Sequence, residues 1–195
     1  RDGQLRFNGS AFYVDVTGLQ STIFDPSIVN LFFSDNAADA TIKGVEGDFT
    51  YYTNVEGLSV AGAFSFLDTE ITEKLVPTGD VIVGEELAFA PGMQGNIRVR
   101  QEFGMAGGNL GHFQLQFTYS DDSYSDIMEP NKARQASYSY VDLRAGVTND
   151  DLTAELYVDN VTDERAEISN TFVFDRQRVA YIRPTTIGIR VKKNF

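Results

Sequence analysis

The chain has 195 residues, enough for one domain of moderate size, and no cysteine, which removes disulfide frameworks and thiolate metal sites from consideration. Sixteen Lys and Arg against twenty-eight acids give a formal net charge of −12, the wrong sign for a phosphate backbone, so no nucleic-acid partner is expected. No run of eighteen apolar residues is present, which excludes a membrane-spanning helix but not a membrane β-barrel, whose strands hide a lipid face in every second position.

Alternation with a period of two runs along almost the whole chain. A first strand is expected over Gln4 to Val16, with Leu5, Phe7, Gly9, Ala11 and Tyr13 on one face and Arg6, Asn8 and Ser10 on the other. A long polar connection is expected from Gln20 to Ala40, carrying Pro26 and the acidic run SDNAADA. The second strand, Thr41 to Thr53, sets Val45, Gly47, Phe49 and Tyr51 against Lys43, Glu46, Asp48 and Thr50; its blurred start suggests a bulge near Gly44. Asn54 to Gly57 reads as a hairpin turn into a third strand, Leu58 to Asp68, with Leu58, Val60, Gly62, Phe64 and Phe66 on one face.

After a longer region from Thr69 to Gly92, a fourth strand opposes Ile97, Val99 and Phe103 to Asn96, Arg98, Arg100 and Glu102. The glycine-rich GMAGGNLG turns the chain into a fifth strand, where Phe113, Leu115, Phe117 and Tyr119 alternate with His112, Gln114, Gln116 and Thr118. The polar loop DDSYSDIMEPNKARQ follows. A sixth strand opposes Val141, Leu143, Ala145 and Val147 to Tyr138, Tyr140, Asp142 and Arg144, and TNDD leads to a seventh, with Leu152, Ala154, Leu156 and Val158 opposite Thr153, Glu155, Tyr157 and Asp159. A last loop, Thr162 to Arg178, precedes TIGIRVKKNF, whose Ile187, Ile189, Val191, Lys193 and Phe195 share a face.

Eight strands are thus joined by short and long connections in strict alternation, the asymmetry of outer-membrane barrels with short periplasmic turns and long outer loops. Arg98, Arg100, Glu102, Asp142, Arg144 and Glu155 are candidates for the lumen wall, most of them as parts of a hydrated interior. Such charges suit a wide, wet lumen better than a narrow closed one, where each must be satisfied internally. Phe64, Phe66, Phe117, Tyr119 and Tyr13 are expected at the outer ends of upward strands, where aromatic girdles sit.

Asp35, Asp39, Asp121, Asp122 and Asp126 fall in expected outer loops without the regular spacing of a calcium loop, and His112 is the only histidine, so no metal site is assigned. Catalysis is not expected either. His112 lies at the end opposite Ser123 and Ser125, Asp121 and Asp122 are sequence neighbours rather than a positioned pair, and GMAGGNLG has no following helix with which to cradle a phosphate.

The pieces RFNGSAFYVDVTGLQ, IKGVEGDFTYYTNVEGLSVAGAFSFLDTEI, LAFAPGMQGNIRVR, YVDLRAGVTND, LTAELYVDNVTDERAE and RPTTIGIRVKKNF, in this order, resemble the carboxy-terminal part of the barrel of a TonB-dependent receptor. The resemblance implies an all-β, antiparallel transmembrane barrel in the bacterial outer membrane. The eight strands of residues 1–195 would be the last of twenty-two, with the plug and earlier strands absent and two unpaired edges left at the first and eighth strands. Arg1, without a starting Met or an apolar signal stretch, fits an internal cut or a processed end.

Implied partners are outer-membrane lipid, the TonB energy-coupling system acting through the plug, the barrel-assembly machinery reading Phe195 with Val191 and Ile189, and a small ligand such as a metal chelate or glycan. The ligand classes are iron-siderophores, haem, cobalamin and oligosaccharides, and Tyr124, Phe172 and Phe174 are the candidate ligand-facing aromatics. The alternatives are a self-contained eight-stranded outer-membrane barrel and a soluble all-β binding domain.

Overall fold

A computed structural model describes residues 4–25, 31–77, 79–173 and 176–194. In chain order the strands are β1 (Leu5–Asp25), β2 (Leu31–Tyr52), β3 (Leu58–Lys74), β4 (Met93–Gly104), β5 (Leu110–Ser120), β6 (Ser123–Tyr124), β7 (Arg134–Gln135), β8 (Tyr138–Asn149), β9 (Leu152–Asp159), β10 (Glu167–Val173), β11 (Arg176–Tyr181) and β12 (Thr186–Lys193). Eight of them form one antiparallel sheet in the order β1-β2-β3-β4-β5-β8-β9-β12; β6 with β7 and β10 with β11 form small ribbons within the connections. The sheet does not close, because β1 pairs only with β2 and β12 only with β9 among the described residues.

The register carries the alternation across every strand. Leu5, Tyr51, Val60, Val99, Leu115, Leu143, Val158 and Ile187 form one row, each the partner of the next. One residue along, on the opposite face, the row reads Arg6, Thr50, Ala61, Arg98, Gln116 and Asp142. A one-residue slip of any strand would push its charges onto the apolar face, so the pattern fixes the pairing. The apolar stretch of β5 from Gly111 to Tyr119 is about 27 Å of strand, which at the usual 35–45° tilt spans roughly 20 Å of bilayer.

The apolar face is uncovered by protein: on β12 Ile187, Ile189 and Val191 are 69%, 75% and 64% exposed. A soluble sandwich would bury these residues in its core, and that reading fails here. Glycines on this face make room for rings from the next strand. A Cβ on Gly47 would stand 2.9 Å from the Phe64 ring, which also lies 6.4 Å from Phe7 and 5.8 Å from Phe66. The face ends on β2 and β3 where Lys43 meets Asp68 at 4.0 Å.

The buried core lies beyond that band, at the long-loop end. Ile23, Ala37, Ala38, Ile71, Val76, Val81, Ile127 and Met128 pack together there, joined by Leu19, Leu87 and Ala88. The expected loop from Gln20 to Ala40 is accordingly mostly strand, as β1 runs on to Asp25 and β2 starts at Leu31, and Asp35 and Asp39 lie in β2. Consecutive burial of Ala37 and Ala38 and register shifts between Val16 and Gln20 break the period of two, so no alternation announced this extension. No bulge occurs at Gly44, which pairs in register with Phe12 and Leu67; the shift comes between Asp39 and Ala40, and Lys43 shares the face of Val45. The expected loop Thr162 to Arg178 likewise contains the β10–β11 hairpin.

Leu115→Arg should lower the stability of the intact protein in liposomes by about 2–4 kcal/mol, whereas Gln116→Arg on the neighbouring position should stay within about 0.5 kcal/mol, both measured by guanidinium unfolding. Equal losses would contradict the two-faced sheet.

Candidate functional site

The polar face gathers charges from four strands toward the short-turn end. Glu155 on β9 is their centre: its Oε2 lies 3.1 Å from His112 Nε2, and its Oε1 lies 3.5 Å from Arg190 and 3.7 Å from Arg144. Arg144 also meets Asp159 at 3.4 Å. Glu155 and His112 are both largely buried, so this carboxylate ties β5, β8, β9 and β12 together in surroundings where an unpaired charge is costly. Farther along the sheet, Arg100 donates to Glu102 at 2.9 Å and to Gln114 at 3.5 Å. Arg98 is exposed and makes no ion pair among the described residues.

Asp142 leads to the corner that joins β9 to β12. Its Oδ1 accepts the backbone N–H of Asn160 at 2.8 Å. Asn160 takes the left-handed conformation, φ 52°, which asparagine tolerates better than most residues. Its side-chain amide donates to the carbonyls of Glu164 and Arg183, both at 2.9 Å, and its Oδ1 accepts from the Glu164 N–H at 2.9 Å. Thr185 closes the ring by donating to the Asn160 carbonyl at 2.8 Å and to Asp163, whose carboxyl is held low first by the Thr185 backbone N–H and then by Arg165. The VDNVTDE segment is therefore a clasp holding the entry of the last loop to the entry of the last strand.

At the long-loop end the connections 75–92 and 121–137 are pinned to each other. Lys132 donates to Glu85 at 2.6 Å and to Glu129 at 3.0 Å, with its ammonium 4.6 Å from the centre of the Tyr124 ring. Burial acts to lower this ammonium's pKa, but the hydrogen bonds to Glu85 and Glu129 outweigh it and hold the value above normal. Arg134 donates to Asp122 at 2.8 Å, and this bond is the main reason that the Asp122 carboxyl lies below the usual range. The other acids singled out from sequence are also hydrogen-bonded: Asp39 in β2 accepts from the Gly18 N–H across the strand pair, Asp35 from the Asn36 N–H, Asp121 from the Asp122 N–H and Asp126 from the Met128 N–H. Among the described residues no three metal-ligating side chains converge.

Beside these loops a cavity of about 220 Å³ opens over the polar face. Gln94, Ser120 and Tyr138, neighbours in one register row, form its floor. Phe89, Ser123, Gln135 and Glu167 wall it in from three separate connections. No sequence pattern marked Phe89, Gln135 or Glu167, because each comes from a different loop.

Of the residues singled out from sequence, Arg98, Arg100, Glu102, Asp142, Arg144 and Glu155 all lie on the polar face, with Arg144 and Glu155 in one cluster and Arg100 and Glu102 in another. Val191 and Ile189 are exposed on the apolar face, and Phe195 lies outside the described residues. Tyr124 sits under Lys132, outside the residues that line the cavity. Phe172 pairs with Gln177 in the β10–β11 hairpin, and Phe174 lies outside the described residues.

A family model described as the β-barrel of TonB-dependent receptor-like proteins matches residues 1–161. The chain belongs to this family. Members are outer-membrane β-barrels, receptors and transporters rather than enzymes, so the apolar face of this receptor barrel is the face turned to lipid. Solved structures of similar fold include the ferric yersiniabactin uptake receptor FyuA from Yersinia pestis, at 18% identity and TM-score 0.78 over 100% of this chain and 28% of that one. The siderophore receptor PiuA from Acinetobacter baumannii is 15% identical with TM-score 0.71, over 98% of this chain and 26% of that one. The ferric citrate transporter FecA is 15% identical with TM-score 0.75, over 100% of this chain and 29% of that one. The chain thus spans little more than a quarter of the length of these structures. No curated protein sequence matches it.

Glu155→Gln should destabilise the intact receptor by roughly 1–3 kcal/mol, since it leaves His112, Arg144 and Arg190 facing a neutral group, whereas Arg98→Gln should change stability by less than about 0.5 kcal/mol. Guanidinium unfolding in liposomes checks both. A second expectation concerns Asp122. Its native pKa is lowered, so its contribution to loop order is fully present above the ordinary aspartate value of about 3.9 and is lost as pH falls below that through the native value. Amide exchange across 121–135, corrected for intrinsic rates, should be flat from about pH 8 to 5 and rise below about pH 4. A rise already between pH 7 and 5 would contradict this.

Proposed function

We propose that the chain is barrel wall of an energy-coupled importer of the outer membrane, its polar face lining the lumen and its long-loop end facing outward. The observation that carries this reading is the family match over 1–161, with a sheet whose two faces divide as a lipid wall and a hydrated interior require. In this reading a plug supplied by the rest of the protein is pulled by TonB from the periplasm, and a scarce ligand bound at the outer end then passes. The ligand belongs to the iron-siderophores, haem, cobalamin or oligosaccharides.

Each of the singled-out residues then has a role. The ion-paired Arg100, Glu102, Arg144 and Glu155, with Asp142 held to the Asn160 clasp, stiffen the lumen wall, and Arg98, without an ion pair among the described residues, meets the plug. Ile189, Val191 and Phe195 present the terminal signal to the barrel-assembly machinery, and Tyr124, Phe172 and Phe174 contribute aromatic surface to the outer loops. That FyuA is a ferric yersiniabactin uptake receptor and PiuA a siderophore receptor supports the importer class.

Cells carrying or lacking the intact receptor should be given labelled ferric siderophore, haem, cobalamin and maltooligosaccharide in turn. One of them should accumulate only when the receptor and the proton-motive force are both present. Receptor-dependent accumulation that survives collapse of the proton-motive force would contradict energy coupling.

A further inference from the structure

The cavity over Gln94, Ser120 and Tyr138 has features that its neighbours do not require. Gln135 is only 4% exposed, and its Nε2 is one of two buried side-chain polar atoms without a partner among the described residues, the other being Thr118 Oγ1. Its Oε1 is already used, accepting from Ser123 Oγ at 3.2 Å. Buried polar groups are ordinarily paired, and the residue that carries this unpaired amide lines an open cavity. Phe89, on the same cavity, is held at φ 55°, a conformation that a bulky side chain seldom adopts and that recurs at ligand sites. Tyr138 stands on the floor and stacks on Tyr140 with ring centres 6.4 Å apart and planes 9° from parallel.

The chemistry of the lining selects an occupant. Asp121 and Glu167 supply carboxylate acceptors and no Lys or Arg lines the cavity, which disfavours an anion. A plain ammonium ligand carries donors only and would leave the Gln135 amide unsatisfied. A hydroxyl both accepts and donates, so a hydroxyl-rich neutral ring satisfies the amide and the carboxylates together, while Phe89 and Tyr138 offer aromatic surface to its C–H faces. About 220 Å³ is below the roughly 300–1,000 Å³ of pockets that take drug-sized ligands, and suits a single ring rather than a whole chelate. We propose that this cavity is a subsite for one neutral sugar ring, the outermost unit of a glycan or of a glycosylated ligand. The proposal rests on the importer reading for the cavity's outward position, but not for binding itself.

The test uses the intact receptor in detergent, with D-glucose, D-galactose, D-mannose and maltose as probes and saturation-transfer NMR and calorimetry as readouts. At least one sugar should bind, with affinity reduced tenfold or more by Gln135→Leu and by Glu167→Ala. Arg6→Gln, an exposed residue of β1 away from the cavity, should leave it unchanged, and ferric citrate should not compete. Glu167 lies in a ribbon outside the main sheet, so its variant keeps the test valid if Gln135→Leu fails to fold. Absence of binding by every sugar, or binding that both variants leave intact, overturns the subsite. Sugar binding as expected with uptake that ignores the proton-motive force would overturn the importer and keep the subsite; energised uptake with no sugar binding would do the reverse.

Discussion

A strand crossing hydrocarbon has no water to satisfy its backbone, so every N–H and C=O within the bilayer must be paired with a neighbouring strand. The rest of the structure depends on that constraint. Pairing fixes register, register aligns side-chain parity from β1 to β12, and parity sends every odd position of β5 to one face and every even position to the other. The apolar face can then be as exposed as Ile189 is without being a defect, because lipid rather than protein covers it.

Once the apolar side is given to lipid, the charges must collect on the other. Most of them do not stand as isolated ions. Glu155 pairs with Arg144 and Arg190 and is hydrogen-bonded to His112, Arg100 pairs with Glu102, and Asp142 accepts the Asn160 N–H of the clasp. The wall is thus cross-linked on its polar side in the direction perpendicular to the strands. At the other end a different solution holds. Beyond the height of Lys43 and Asp68 the chain leaves the band suited to lipid and builds a small conventional core from Ile71, Ala37, Ala38 and Met128, which keeps the connections in fixed positions. Fixed connections are what allow Phe89, Gln135 and Glu167 to meet over one cavity.

How much of this was legible in the sequence follows from the same physics. Where lipid dictates the pattern, as in Phe113, Leu115 and Phe117, period-two alternation located all eight sheet strands and put Arg98, Arg100, Glu102, Asp142, Arg144 and Glu155 on the polar face. Where a local core dictates it, the signal vanished: SDNAADA reads as an acidic loop, yet its alanines are buried side by side in β2. The β10–β11 hairpin was hidden for a related reason, since its polar residues serve a ribbon that never enters the bilayer. The VDNVTDE segment stood out by resemblance, but its mechanism needed the hydrogen bonds of Asn160 to Glu164 and Arg183. The cavity was not legible at all, because its walls come from positions as far apart as Phe89 and Glu167.

The barrel-wall assignment is tested most directly by a spin-label scan. With no cysteine of its own, this chain accepts single introduced cysteines at successive positions of β5 from His112 to Thr118 in the intact receptor in liposomes. Labels at 113, 115 and 117 should collide with lipid-dissolved oxygen, and labels at 112, 114, 116 and 118 should not. Oxygen accessibility without a period of two, or with the opposite phase, would contradict it.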